Sequence, residues 1–140
     1  VEEVKIDKGL FETFMMKEIF EQSVVVSKLL QHNVKNRKID MSIPEIAHFD
    51  RISIIACGTS YFAGCLGKYA IESYSQIPVS VEISSEFHNR KQFFPKKTLY
   101  IFASQSGETA DTIAALECVQ QNKTNCSKIL SISPSAIPIP

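Results

Sequence analysis

The chain has 140 residues, 44% of them hydrophobic and 21% charged, with 15 Lys and Arg balanced by 15 Asp and Glu. That length suits one compact soluble domain with a real core rather than two. A net charge of zero argues against nucleic acid and against a polybasic membrane patch, both of which need an excess of cations, and no apolar run is long enough to span a bilayer.

From Leu10 to about His32 the pattern predicts a helix. Met15, Met16, Ile19 and Phe20 make one apolar stripe, which Val24 to Val26 and Leu29 to Leu30 extend. The next stretch, to Asp50, is mixed, and Pro44 can open a short helix through Ala47. Strand and helix then alternate. Ile52 to Ala56 is a short apolar, β-branched run that suits a buried parallel strand. Pro78–Ile83, Thr98–Ala103 and Lys128–Ile132 read as three more strands. Tyr61 to Tyr74 reads as a helix, with Phe62, Cys65, Leu66, Tyr69 and Ala70 at spacings of three and four. Ser60, Ala63, Gly64 and Gly67 give it a neighbouring face of small side chains that allows close approach to a sheet. Thr109 to about Gln121 is the helix between the last two strands. This alternation predicts an α/β fold with a parallel sheet covered on both faces. The expected organisation is a helical lead-in over 1–45, the α/β domain over 46–132, and a Pro-rich tail over 133–140 that cannot be helical.

Cys57, Cys65, Cys118 and Cys126 form no C-x-x-C pair and lie far in sequence from His32, His48 and His88, so no metal site is expected. The first residues are acidic and polar, unlike a secretory signal, and the expectation is a cytoplasmic protein with reduced thiols. Neither G-x-x-x-x-G-K-[ST] nor G-x-G-x-x-G occurs, so no nucleotide cofactor is expected.

In an open α/β sheet, ligands bind at the C-terminal ends of the strands. Two strand exits here are short, rich in hydroxyls and lead straight into helices: Cys57-Gly58-Thr59-Ser60, and Ser104-Gln105-Ser106-Gly107-Glu108-Thr109. A helix N-terminus carries unpaired N–H donors and partial positive charge. With hydroxyls grouped there, it holds a phosphate without Lys or Arg. The alternative is ordinary: Ser and Thr before a helix are N-caps, and Gly relieves a tight turn. The second loop, with Ser104, Ser106, Thr109 and Thr112, carries the anion reading furthest. That reading requires Glu108 and Asp111, in the first turn of the following helix, to face away. Glu82 and Glu86 flank the exit of the second strand, as sugar ligands or bases, or as acids at a helix start. Cys57 at a helix N-terminus is a weak candidate for a reactive thiol.

The two loops resemble the signature loops of the sugar isomerase (SIS) domain. With Met16-Lys17-Glu18-Ile19-Phe20-Glu21-Gln22 and Val81-Glu82-Ile83-Ser84-Ser85-Glu86-Phe87, they resemble most closely the isomerase half of the glutamine–fructose-6-phosphate aminotransferase family. The resemblance runs from about Asp7 to about Ile132. It implies a three-layer α/β/α domain and a role in amino-sugar synthesis from fructose 6-phosphate and glutamine. It implies that Ser60, Ser104, Gln105, Ser106 and Thr109 hold the sugar phosphate, that Thr59 contacts the sugar, and that Gly58 and Gly107 shape the phosphate loops. It also implies a homodimer. Ser23 stands where the family commonly has Pro. The family's glutaminase half and second SIS domain have no counterpart here. Its ring-opening and proton-transfer residues lie in that second domain or its tail, so this chain is expected not to catalyse alone. The alternatives are a non-catalytic sugar-phosphate sensor, which calls for a fifth strand and an attached regulatory domain, and a truncated remnant.

Overall fold

The computed structural model describes residues 7–36, 38–39 and 45–133. These fall into two compact units, divided between residues 42 and 43. The expected opening of a helix at Pro44 and the stretch 134–140 of the Pro-rich tail lie outside the described residues.

The first unit is built on α1 (Phe14–Asn33). The helix begins later than its apolar pattern suggests because Thr13 is the N-cap, its hydroxyl accepting from the Met16 amide at 3.1 Å. Phe11 stacks on Phe20 with ring centroids 5.6 Å apart. No residue of α1 is buried, so the stripe of Met15, Ile19, Phe20 and Leu29 is exposed. Beyond it, Val34–Lys35 and Lys38–Ile39 pair antiparallel around Asn36, which takes a left-handed backbone (φ 52°).

The second unit is a parallel sheet. Its strands are β1 (Arg51–Ala56), β2 (Val79–Ile83), β3 (Thr98–Ala103) and β4 (Lys128–Ile132), in the order β2-β1-β3-β4. The connecting helices are α2 (Gly58–Ser75), α3 (Ser84–Asn89) and α4 (Ala110–Asn122). All four strands end level: Ala56 is opposite both Ile83 and Ala103, and Ala103 is opposite Ile132. Successive side chains of a strand face opposite sides. Ile55, Tyr100 and Phe102 join Phe87 of α3 and Ala115, Leu116 and Val119 of α4 in one core. Ile52, Ile54, Leu99 and Ile101 join Phe49 and Val79 in the other, with Ile71 of α2 packed against it. Two buried faces explain why β1 and β3 read as continuous apolar runs rather than alternating ones.

The face on which α2 packs follows from a glycine. A Cβ built on Gly64 would stand 3.0 Å from Ile54 Cγ2 and 3.2 Å from Val81 Cγ1. Of the small residues Ser60, Ala63, Gly64 and Gly67, Gly64 is the one buried against the sheet, while Ala63 is exposed. Ile71 packs on the sheet, but the other large apolar side chains of the stripe point outward, with Phe62 65%, Leu66 76% and Tyr69 70% exposed. Gly67, on the same predicted small face, has nothing within 4 Å, so Gly64 alone sets the close approach. A short 3-10 turn over Ile46–His48 precedes β1.

Candidate functional site

The chain leaves β1 through α2 to β2 on one side, then returns past β1 through α3 to β3 on the other. The carboxyl ends of β1 and β3 are therefore the point where the connections diverge, and a crevice opens between them. The crevice has a volume of about 270 Å³ and is lined by Cys57, Gly58, Thr59, Ser60, Ala103, Ser104, Gln105, Ser106 and Thr109. Both loops singled out in the sequence meet there, 44 or more residues apart in the chain but adjacent in the sheet because β1 pairs with β3.

The first loop is almost no loop. Gly58, one residue past Cys57, already opens α2, with a left-handed φ of 55° that favours glycine. The N-cap position is Cys57, and its side chain makes no cap hydrogen bond. The α2 amides at Gly58, Thr59 and Ser60 precede the first intrahelical bond, which Tyr61 N–H makes to the Cys57 carbonyl at 3.3 Å. Thr59 is exposed and Ser60 half-buried.

The second loop is folded by its own hydroxyls. Ser104 N–H donates to the Ile132 carbonyl at 3.0 Å, carrying the β3–β4 ladder one step beyond the strand. Ser104 Oγ accepts from Gly107 N–H at 3.0 Å, and Ser106 Oγ accepts from Glu108 N–H at 3.1 Å. Thr109 Oγ1 lies 3.2 Å from Ser104 Oγ and 3.5 Å from Ser106 Oγ. Gly107 takes φ 73°, so glycine is needed at this turn. Thr109 is the N-cap of α4, but its side chain makes no cap hydrogen bond. The ordinary N-cap role thus does not occupy the hydroxyls of either loop. Ser104 is buried, whereas Gln105 and Ser106 are exposed.

Glu108 and Asp111 are absent from the lining. Asp111 Oδ1 instead lies 3.9 Å from His88 Nε2. Thr112, counted with the loop hydroxyls in the sequence, is also elsewhere: it is buried, 3.3 Å from Ser84 Oγ of α3. Glu82 is bound by Arg90 and does not line the crevice, and Glu86 sits in the first turn of α3. The Tyr61 phenol, one residue beyond Ser60, is raised above its ordinary value, first by a hydrogen bond with Cys65, then by the charge of Cys65, by burial and by Glu82. All four cysteines are free thiols, and Cys57 is one of the residues lining the crevice.

The site therefore offers two helix N-termini, hydroxyls and backbone N–H groups, with no cation and no carboxylate on its wall. That set suits a compact anion such as a phosphate.

The SIS domain family profile matches residues 45–136. The chain belongs to the SIS domain family. Within that family, this SIS domain is 47% identical over 131 residues to the glutamine–fructose-6-phosphate aminotransferase (isomerizing) of Mycolicibacterium smegmatis, covering 90% of this chain and 20% of the relative. It is 45% identical over 125 residues to the enzyme of the same name from Chlamydia abortus, covering 86% and 20%. The C-terminal domain of glucosamine-fructose-6-phosphate aminotransferase from Francisella tularensis superposes with a TM-score of 0.80 at 36% identity, over 94% of this chain and 38% of that one. The α/β/α architecture is thus that of the SIS domain. The chain spans about one fifth of the length of the curated relatives it matches. Among the described residues no helix is long and apolar enough to cross a membrane.

Proposed function

We propose that the crevice between β1 and β3 binds a sugar phosphate, and that the chain corresponds to the first SIS domain of an enzyme making glucosamine 6-phosphate from fructose 6-phosphate and glutamine. The phosphate would be held by Ser60, Ser104, Gln105, Ser106 and Thr109 and by the amides at the start of α2, with Gly58 and Gly107 shaping the two loops and Thr59 toward the sugar. The observation that carries this reading is the convergence of two uncapped helix starts on one crevice walled by hydroxyls. Helix N-termini and backbone N–H groups stabilise anionic charge without any lysine or arginine. The kinship with aminotransferases that carry fructose 6-phosphate in their name supports the choice of sugar. The proposed role of this chain by itself is binding, and its proposed assembly is a homodimer.

Titration of the full chain with fructose 6-phosphate and with glucosamine 6-phosphate, read by amide chemical shifts at Gly58 and Gly107, tests the reading. Binding in the millimolar range or tighter is expected. A hydrogen bond to a charged group is worth about 1.5–3 kcal/mol, so Ser106→Ala should weaken binding about ten- to a hundredfold. No binding of either sugar phosphate at millimolar concentration would overturn the proposal for this chain.

A further inference from the structure

We infer that His88 is a positioning residue for the phosphate site, drawing the Asp111 carboxylate to the α3 side of α4; this rests on the phosphate reading above. Asp111 lies in the first turn of α4, whose N-cap Thr109 forms part of the crevice wall. A carboxylate at that place competes with a bound anion for the same helix-end field. Its side chain is half exposed, so burial alone does not hold it, and something must decide which way it points.

His88 is built to decide it. The ring is held on α3 by the hydrogen bond between Nδ1 and the Ser84 carbonyl at 2.8 Å. A carbonyl only accepts, so Nδ1 carries the hydrogen. That leaves Nε2 as the atom presented to Asp111 at 3.9 Å, and in the imidazolium form it presents an N–H and a positive charge. The ring is mostly buried, its side chain 21% exposed, and α3 is fixed to α4 by the buried Ser84–Thr112 contact. The imidazole is therefore anchored to a helix that packs directly on α4. The other charged side chains on α3 and the elements packed against it are Glu86 of α3 itself, Glu82 of β2, which Arg90 already binds, and Glu117 farther along α4. β1 brings Ser53 and apolar residues, with Arg51 at its far end.

The test uses inorganic sulfate, a dianion throughout the working range, and fructose 6-phosphate, both titrated into the full chain at pH 6. Charge effects at helix ends are modest, so His88→Ala should weaken both anions by about two- to fivefold. His88→Lys, which keeps a cation, should restore most of that loss. Asp111→Asn should bind anions at least as tightly as the unaltered chain, and His88→Ala should then cost nothing in the Asp111→Asn background. An equal loss in both backgrounds would mean that His88 acts only by packing, and would overturn the inference. Unchanged affinity in His88→Ala would overturn it as well. Should His88→Ala fail to fold, the comparison of Asp111→Asn and His88→Lys with the unaltered chain decides, since weaker binding in Asp111→Asn, or binding more than about twofold weaker in His88→Lys, contradicts the role. If the unaltered chain binds neither anion, the phosphate reading fails and this inference with it.

Discussion

The two sides of the crevice reach the same chemistry by opposite means. On the β1 side the chain turns at Gly58 and is helical at once, with the N-cap side chain making no hydrogen bond. On the β3 side six residues fold on themselves, and Ser104 and Ser106 accept from the amides of Gly107 and Glu108. The β1 side is thus shaped from a distance, by how α2 docks on the sheet. The β3 side is shaped locally, by the same hydroxyls that line the crevice. Damage to docking should disturb the first, and damage to single hydroxyls should disturb the second.

The largest expected effect comes from breaking the docking. Gly64→Val places two methyl groups where even a Cβ would stand 3.0 Å from Ile54 and 3.2 Å from Val81. Ile54 is buried in β1, so the helix must yield. Overpacking of this kind costs about 1–3 kcal/mol, and the upper end is expected here because both contacts are on the sheet. Urea unfolding should show the loss in the midpoint. Amide shifts in the folded protein should move at Gly58 to Ser60 and stay fixed at Ser104 to Gly107. Movement of both loops together would dissolve the distinction between them.

Next in size is Ser104→Ala. The Ser104 side chain is buried and supports the Gly107 amide in a residue that is itself buried. An unsatisfied buried donor costs about 1–3 kcal/mol. Unlike Gly64→Val, this change should disorder the β3 loop and leave the α2 start untouched. Hydrogen exchange should quicken at Gly107 first. A variant with unchanged stability would show that water or another group replaces the hydroxyl, and that the loop does not depend on it.

The same contrast explains what the sequence made legible. The four strands are readable to within a residue, the central β1 and β3 because burial on both faces demands largely apolar, β-branched runs, as in Ile52 to Ala56. The sequence pattern puts the start of α2 at Tyr61, three residues late, because Gly-Thr-Ser has the composition of a loop while forming the first helical turn. The strand before α3 ends at Ile83 as expected, but α3 itself reads only as a possible helix start with no bounds. Six residues carry no helical period, and Glu86 reads only as an acid at a helix start. The loop residues were found because hydroxyls before a helix are a local pattern. Thr112 was counted with them since spacing along a chain does not say that its hydroxyl turns to Ser84. The His88–Asp111 approach was invisible for a related reason: it joins residues 23 positions apart through the packing of α3 on α4. Nor did the apolar spacing of Phe62, Leu66 and Tyr69 reveal that this stripe faces outward, which the glycine contact decides.

The smallest expected effect tests the β1 side by itself. Thr59 is exposed in the first turn of an uncapped helix, so Thr59→Ala should change stability by less than about 0.5 kcal/mol. If Thr59 meets the sugar and not the phosphate, the variant should bind fructose 6-phosphate about two- to tenfold more weakly, the worth of one neutral hydrogen bond. Inorganic phosphate should bind the variant as it binds the unaltered chain. The ratio of the two affinities is therefore the measurement, because it cancels any general change in the anion site. A parallel loss for both ligands would place Thr59 on the phosphate. The β1 side would then be a second phosphate cradle, with selectivity for the sugar residing elsewhere on the wall.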